Sequence, residues 1–442
     1  MPPAARIDRR AMIAGLAVGA ASPAFAAPAL SLREAARRMA IYGLPLIETA
    51  STRARAFKNG LVANTFRHSR TLTTAKTQTV TQPNNDTLYS SGWLDLSSGP
   101  VQVTLPASGD RYLSVALMDP YSNNFAVLGT RTTGPDGGVF TVAGPGHAAP
   151  GPNVIHSPTN WVWILARTLV DGPADLAGAH AVQDGLKISG PAGRKAQPIP
   201  GRDAPWPDMF RTIQAPVLES PPPATDARLF AETRALGVSL TGGFDPARFT
   251  AAEGQEIAAG LSQALEDAKG GDDNAIVRGG WIFPRPNLGD FGQDYLYRAQ
   301  IALSGLAGLP LDEALYLRPL GPDGRAELDS TKAWKLALPA KPLPVDAFWS
   351  LTVYEVTPQG QAFLIENPID RYAIGDRTPG LVRGPDGRLE IIISPKPPKG
   401  ALKANWLPAP TSGRPMLLNL RAYLPRPELT SGAYPLPPLR RA

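Results

Sequence analysis

The chain has 442 residues, of which 43 are Gly and 48 are Pro, about a fifth of the whole against roughly an eighth in average usage. That density of turn formers argues against a mainly helical protein, while 43% hydrophobic and 19% charged residues exclude a disordered or collagen-like chain. The absence of cysteine excludes disulfides, thiol nucleophiles and thiolate metal sites; a net charge of +6 with no Lys/Arg stripe interleaved with aromatics excludes a nucleic-acid partner.

Residues 1–26 read as an export signal. Arg6, Arg9 and Arg10 precede an apolar stretch from Ala11 to Ala21, which ends in Ala24-Phe25-Ala26. The run Asp8-Arg9-Arg10-Ala11-Met12-Ile13 resembles a twin-arginine signal, with an ordinary secretory signal as the alternative. Both place the protein in the periplasm or outside the cell, and cutting after Ala26 leaves a charge of about +4. No later apolar run approaches the length of a membrane span, so no transmembrane segment is expected in the mature protein.

Ser31-Leu32-Arg33-Glu34 has the form of a capping box opening a short helix, which Gly43 and Pro45 are expected to interrupt. From about residue 70 to 170 the pattern changes to short β-prone runs: Val101 to Leu105, Tyr112 to Met118, Phe125 to Leu128, Gly138 to Val142 and Trp161 to Leu169. Gly134-Pro135-Asp136-Gly137 has the chemistry of a tight type I turn, and a hairpin is expected there. The prolines between 185 and 224 predict an extended surface connector without helix. Helices follow over Asp226 to Leu236, after the capping box Thr250-Ala251-Ala252-Glu253 up to Gly270-Gly271, and over Tyr295 to Leu306.

Strands return from about 314: Ala314 to Leu317, Ala347 to Val356, Gln361 to Leu364, Leu389 to Ile393 and Met416 to Tyr423, with turns at Gly321-Pro322-Asp323-Gly324 and Gly384-Pro385-Asp386-Gly387. Gly129-Thr130-Arg131-Thr132 in the first half and Gly375-Asp376-Arg377-Thr378 in the second hint at two β-domains of similar plan. The expected fold is mainly β: antiparallel β-sandwich domains at 35–185 and 311–440, with a proline-rich connector and small helical module at 186–310 between them.

Three clusters could carry chemistry. In the first, Asn84, Asn85, Asp86, Tyr89 and Trp93 combine amides, a carboxylate and two aromatics, the composition of a pocket that hydrogen-bonds a polar ligand while stacking on its apolar face. The other reading is an Asx-turn leading into a strand that buries Leu88 and Trp93. In the second, Asp119 could pair with Asp86 for acid/base work or hold a hard cation with Asn85 and Asn123, or else close an Asx-turn at a strand end. The third holds Arg371, Asp376 and Arg377, a fork for a carboxylate or phosphate or else a structural ion-pair network. With Arg131, these residues form one candidate interdomain site, in which Asp86, Asp119 and Arg131 are the catalytic candidates. Four histidines at His68, His147, His156 and His180 lack metal-ligand spacing, so no metal is expected. No nucleotide or nicotinamide fingerprint is present, and the cofactor and oligomeric state stay unassigned.

These motifs together carry a resemblance. Gln82 to Leu96, Gly109-Asp110-Arg111-Tyr112, Met118-Asp119, Asn123-Asn124-Phe125 and Gly144-Pro145-Gly146 resemble the bacterial domain-of-unknown-function 1254 family. Phe348-Trp349-Ser350-Leu351-Thr352, Asn367-Pro368, Arg371-Tyr372 and Asn405-Trp406-Leu407-Pro408-Ala409-Pro410 resemble its companion, the domain-of-unknown-function 1214 family. The resemblance implies an immunoglobulin-like sandwich, a helical insertion and a jelly-roll-like sandwich, and it assigns no catalytic residue. Two functions fit: an exported enzyme acting on a small polar or carbohydrate-like substrate, or a non-catalytic glycan-binding or envelope-structural protein.

Overall fold

The computed structural model describes residues 30–77, 80–195, 201–269 and 275–442, so the expected signal and the Gly270-Gly271 stop lie outside the described residues. Among the described residues about 27% are helical and 25% are in strands. The architecture is therefore mixed rather than mainly β, and the reason begins with the first helix.

Helix α1 (Leu32–Lys58) runs through both expected breakers, Gly43 and Pro45. Its residues from Met39 to Ile47 are buried on every side, so tertiary packing outweighs the local cost of a glycine and a proline. Ser31 caps it by accepting from the Glu34 amide at 3.3 Å. The Glu34 carboxylate does not return the favour; it accepts from Arg38 Nε at 2.8 Å instead.

The first β unit follows, with β1 (Phe66–His68), β2 (Thr87–Asp95), β3 (Val101–Leu105), β4 (Leu113–Met118), β5 (Asn124–Gly129), β6 (Gly138–Ala143), β7 (Val154–His156), β8 (Trp161–Leu169) and, after α2 (Leu176–Gly185), β9 (Lys187–Ser189). One sheet has the order β1-β2-β8-β4-β5 and the other β7-β6-β3-β9. Val103, Leu105 and Val142 of the second sheet join Leu94, Val115, Leu117 and Ile164 of the first in one apolar cluster. Gly134 to Gly137 thus connects strands of different sheets and makes no hairpin, because β5 pairs with β4 while β6 pairs with β3.

The proline-rich region is not all extended. Helix α3 (Trp206–Glu219) forms inside it, with Pro205 at its N-cap, Pro207 in its first turn and Pro216 near its end. A first-turn proline loses no helical hydrogen bond, and Met209, Phe210, Ile213 and Val217 bury the inner face. With α4 (Ala227–Glu232), α5 (Ala251–Lys269) and α6 (Tyr295–Ser304) it packs around α1. Thr250 and Glu253 form the expected reciprocal cap of α5, at 2.9 and 3.3 Å.

The second β unit contains β10 (Ile276–Arg278), β11 (Trp281–Phe283), β12 (Ala314–Pro319), β13 (Trp334–Leu338), β14 (Trp349–Val356), β15 (Ala362–Phe363), β16 (Ala373–Gly375), β17 (Leu389–Ser394), β18 (Trp406–Pro408), β19 (Met416–Tyr423) and β20 (Arg440–Arg441). Its larger sheet runs β10-β11-β12-β19-β14-β15, with β16 also on β14; the smaller runs β18-β17-β13-β20. Both contribute to one apolar cluster. The two Gly-x-Arg-Thr segments share a local geometry: a Cβ on Gly129 would lie 2.1 Å from Leu113 O, and one on Gly375 2.2 Å from Trp349 O. Each glycine lets a strand end press against its neighbour's backbone.

Candidate functional site

Strand alternation gives each inner sheet a second face. In β19, Met416, Leu418, Leu420 and Ala422 enter the core, and Leu417, Asn419, Arg421 and Tyr423 stand on the opposite face. In β8, Val162, Ile164 and Ala166 enter the core, and Trp163, Leu165 and Arg167 stand opposite. These second faces carry polar and charged groups, yet they are buried, because the two β units turn them toward each other. Between them and the C-terminal end of α6 lies a cavity of about 990 Å³.

Arg167, Arg285, Arg318, Arg325, Arg421 and Lys269 line it, and two of these cations are buried. Arg167 is 5% exposed and Arg421 4%. Arg167 donates from Nη2 to Ala307 O at 2.8 Å and lies 5.5 Å from the centre of the Tyr89 ring, its cross-strand partner. Its Nη1 is buried without a hydrogen-bond partner. Arg421 donates to Thr352 Oγ1 at 3.1 Å and Gln82 O at 2.9 Å. Neither has a carboxylate within ion-pair distance among the described residues, although burying an unpaired charge is costly. Asn419 adds a buried carbonyl oxygen without a partner. Tyr423 accepts from Asn84 Nδ2 at 2.5 Å; burial and the nearby Asp86 hold its hydroxyl far above the ordinary tyrosine pKa, so it stays protonated. Apolar groups complete the walls, among them Phe283, Leu288 and Ile301, and Glu327 stands exposed where the cavity opens.

The structure distributes the sequence candidates unevenly around this cavity. Asn84 and Tyr89 line it. Asp86 does not; it accepts from Ser350 Oγ at 2.6 Å, and burial raises its pKa against the opposing pull of Ser350, Arg421 and Arg377. Asp376 is likewise raised by burial and accepts from the Trp349 amide, while Arg377 pairs with Asp171 at 3.3 Å and stacks 4.1 Å over Phe348. These three form a polar layer beside the cavity, on and around β14.

The remaining candidates have structural partners elsewhere. Asn85 donates to Thr73 O. Trp93 is buried and stacked on Trp163, with ring centres 5.3 Å apart. Asp119 closes an Asx-turn, accepting from the Asn123 amide at 2.9 Å and its side chain at 3.1 Å. Arg131 bridges the two β units by pairing with Asp312 and Glu313, both at 2.7 Å. Arg371 donates to the carbonyls of Ala404 and Trp406 at 2.7 and 2.9 Å, and burial lowers its pKa.

The segment before β2 does double duty. Gln82, Pro83 and Asp86 bond to Ala362, Tyr354 and Ser350 of the second unit, so the motif clasps one unit onto the other while Asn84 faces the cavity. Sequence reasoning missed Arg167, Arg421, Asn419, Tyr316 and Tyr423. The available signal was a single arginine in the second half of each of two apolar strands, a position where a charge needs a reason.

Among the described residues there is no group of three or more His, Asp or Glu side chains that could hold a metal ion. None of their helices is long and apolar enough to cross a membrane.

A search of curated proteins finds no match. Among solved structures, the VPA0106 protein from Vibrio parahaemolyticus superposes with a TM-score of 0.70 and 23% identity, covering 93% of this chain and 100% of that one, a likeness of fold. An uncharacterized protein from Burkholderia cenocepacia gives a TM-score of 0.44 at 14% identity over 93% of both chains. Residues 63–190 match the family described as protein of unknown function DUF1254, and residues 313–427 match DUF1214. The first match spans most of the first β unit and the second most of the second, in the order expected from the motifs, and the chain belongs to the proteins that join DUF1254 to DUF1214.

Proposed function

We propose that this chain is an exported protein that takes a small polar molecule into the cavity between its two β units. The cavity itself carries the reading: its volume of about 990 Å³ lies at the upper end of the range for small-molecule sites, and its walls combine apolar surface with convergent polar and cationic groups. Export rests on the leader at residues 1–26. On this reading the β units are an immunoglobulin-like and a jelly-roll-like sandwich, supported by the single apolar cluster each builds from two sheets.

Binding is the role the walls favour, since they offer guanidiniums, phenols and amides. One observation favours turnover as a second reading. The Asp86 carboxyl, which burial makes harder to ionise, lies near enough to the Tyr423 hydroxyl on the cavity wall to raise its pKa, and Asn84 bonds that hydroxyl while accepting from the Asp86 backbone amide.

Gly305 is exposed on the cavity rim, and a Cβ there would meet nothing within 4 Å. Gly305→Trp should therefore fold normally and obstruct the cavity. Polar metabolites and glycan fragments that raise the melting temperature of the wild type should lose that effect in the variant. Equal shifts in both proteins would remove the cavity from consideration, and product formed from a shifted ligand would establish turnover.

A further inference from the structure

The chemistry of the ligand follows from Arg167, on the reading that the cavity is the binding site. We propose that the cavity accepts a monoanionic carboxylate with an apolar body, its head group seated on Arg167. Four observations converge. Arg167 is almost wholly buried and lines the cavity, and its Nη1 has no hydrogen-bond partner. A guanidinium keeps its charge at any physiological pH, so this site bears a positive charge whatever the solution conditions. Among the described residues its hydrogen-bond partner is the neutral carbonyl of Ala307, at 2.8 Å. The groups around it are phenols: Tyr89 beside its plane, with Tyr316 and Tyr423 in the same walls.

One free cationic N–H with neutral hydroxyl donors around it matches one negative charge. A dianionic phosphate calls for more cationic donors in the buried part of the cavity, where Arg421 already gives its Nη1 and Nη2 to Thr352 and Gln82; among the other cations of the lining, Arg285 pairs with Asp294, and Lys269 and Arg325 are exposed. The body of the ligand is set by the apolar part of the lining, where Phe283, Leu288 and Ile301 supply surface.

The test pairs isosteric ligands: 3-phenylpropanoate against its primary amide, and hexanoate against hexanamide, with phenyl phosphate as the dianion, titrated calorimetrically into the wild type, Arg167→Met, Arg167→Lys and Gly305→Trp. The wild type should bind each carboxylate at least about tenfold more tightly than its amide. Arg167→Met should lose that discrimination, Arg167→Lys should keep part of it, and Gly305→Trp should bind neither. Where Arg167→Met fails to fold, Arg167→Lys with reduced but measurable discrimination supports the assignment on its own. Equal affinity for acid and amide, or tighter binding of phenyl phosphate, overturns the carboxylate and leaves the cavity reading intact, provided Gly305→Trp abolishes that binding. Binding that Gly305→Trp does not affect, or no binding of any probe at millimolar concentration, overturns both.

Discussion

Asp119 shows how a residue chosen for chemistry is explained by its neighbours. It is 4% exposed, its carboxylate closes the Asx-turn onto Asn123, and burial pushes its pKa up to about 6 despite that turn and the nearby Arg298. The sign is that of an acid harder to ionise when folded. Between the ordinary value of 3.8 and about 6 the folded chain holds a proton that the unfolded chain has released, so stability falls as pH rises through that window and levels off above it. Asp119→Asn keeps the acceptor for the Asn123 amide and removes the titration. Unfolding free energies from urea titrations across the window should decline in the wild type by about 3 kcal/mol more than in the variant. Parallel curves would show that Asp119 is not the responsible group. The same distinction applies to Arg371, whose two carbonyl partners could not be read from a loop sequence rich in Asp and Arg. Residue type suggested ligand chemistry; only the partner determines whether the group is free to use it.

At the scale of elements, alternation and capping were legible and helix interruption was not. β3, β8 and β19 have the ends that their patterns predict, since runs of β-prone residues and flanking turns are local properties. Helices α1 and α3 are different. Their glycine and prolines carry a local penalty, which is offset by contacts between segments far apart in sequence. Gly43 makes this measurable, because a Cβ there would lie 2.4 Å from the side chain of Ile213, itself fully buried in α3. In an exposed helix Gly→Ala stabilises by about 1 kcal/mol. Here overpacking should reverse the sign, with a net loss of about 1–2 kcal/mol in Gly43→Ala that Ile213→Val partly restores. Thermal unfolding of the two single variants and the double variant reads this directly, and a more stable Gly43→Ala would show that α3 yields without cost.

For the whole molecule, the decisive contact is between the β units. Phe348 and Tyr423 stack with centres 4.1 Å apart, and Tyr112 of the first unit packs edge-on against both at 5.6 and 5.3 Å. Arg131 to Glu313 and Ser350 to Asp86 add polar ties across the same junction. Burial of this size makes the units unfold together. Phe348→Ala should cost about 3–5 kcal/mol and uncouple them. Hydrogen exchange in increasing denaturant should give β4 and β17 one midpoint in the wild type and two in the variant; two midpoints in the wild type would show that the units are already independent.

The high Gly and Pro content has a definite place in this picture. It supplies turns such as Gly321 to Gly324 and Gly384 to Gly387, each closed by a 2.9 Å backbone bond, and much of what lies between helices. By itself the sequence determined the order of the two β units, the strands with clear alternation, the capped start of α5 and the pair of families, because all of these rest on short-range patterns of residue type. The tertiary structure alone decided that α1 joins the helices of the middle section, that the polar sheet faces turn inward, and that Arg167 and Arg421 share a cavity. Those outcomes depend on which surfaces cover one another, and a buried face and an exposed one can have the same alternation until the partner that covers it is in place.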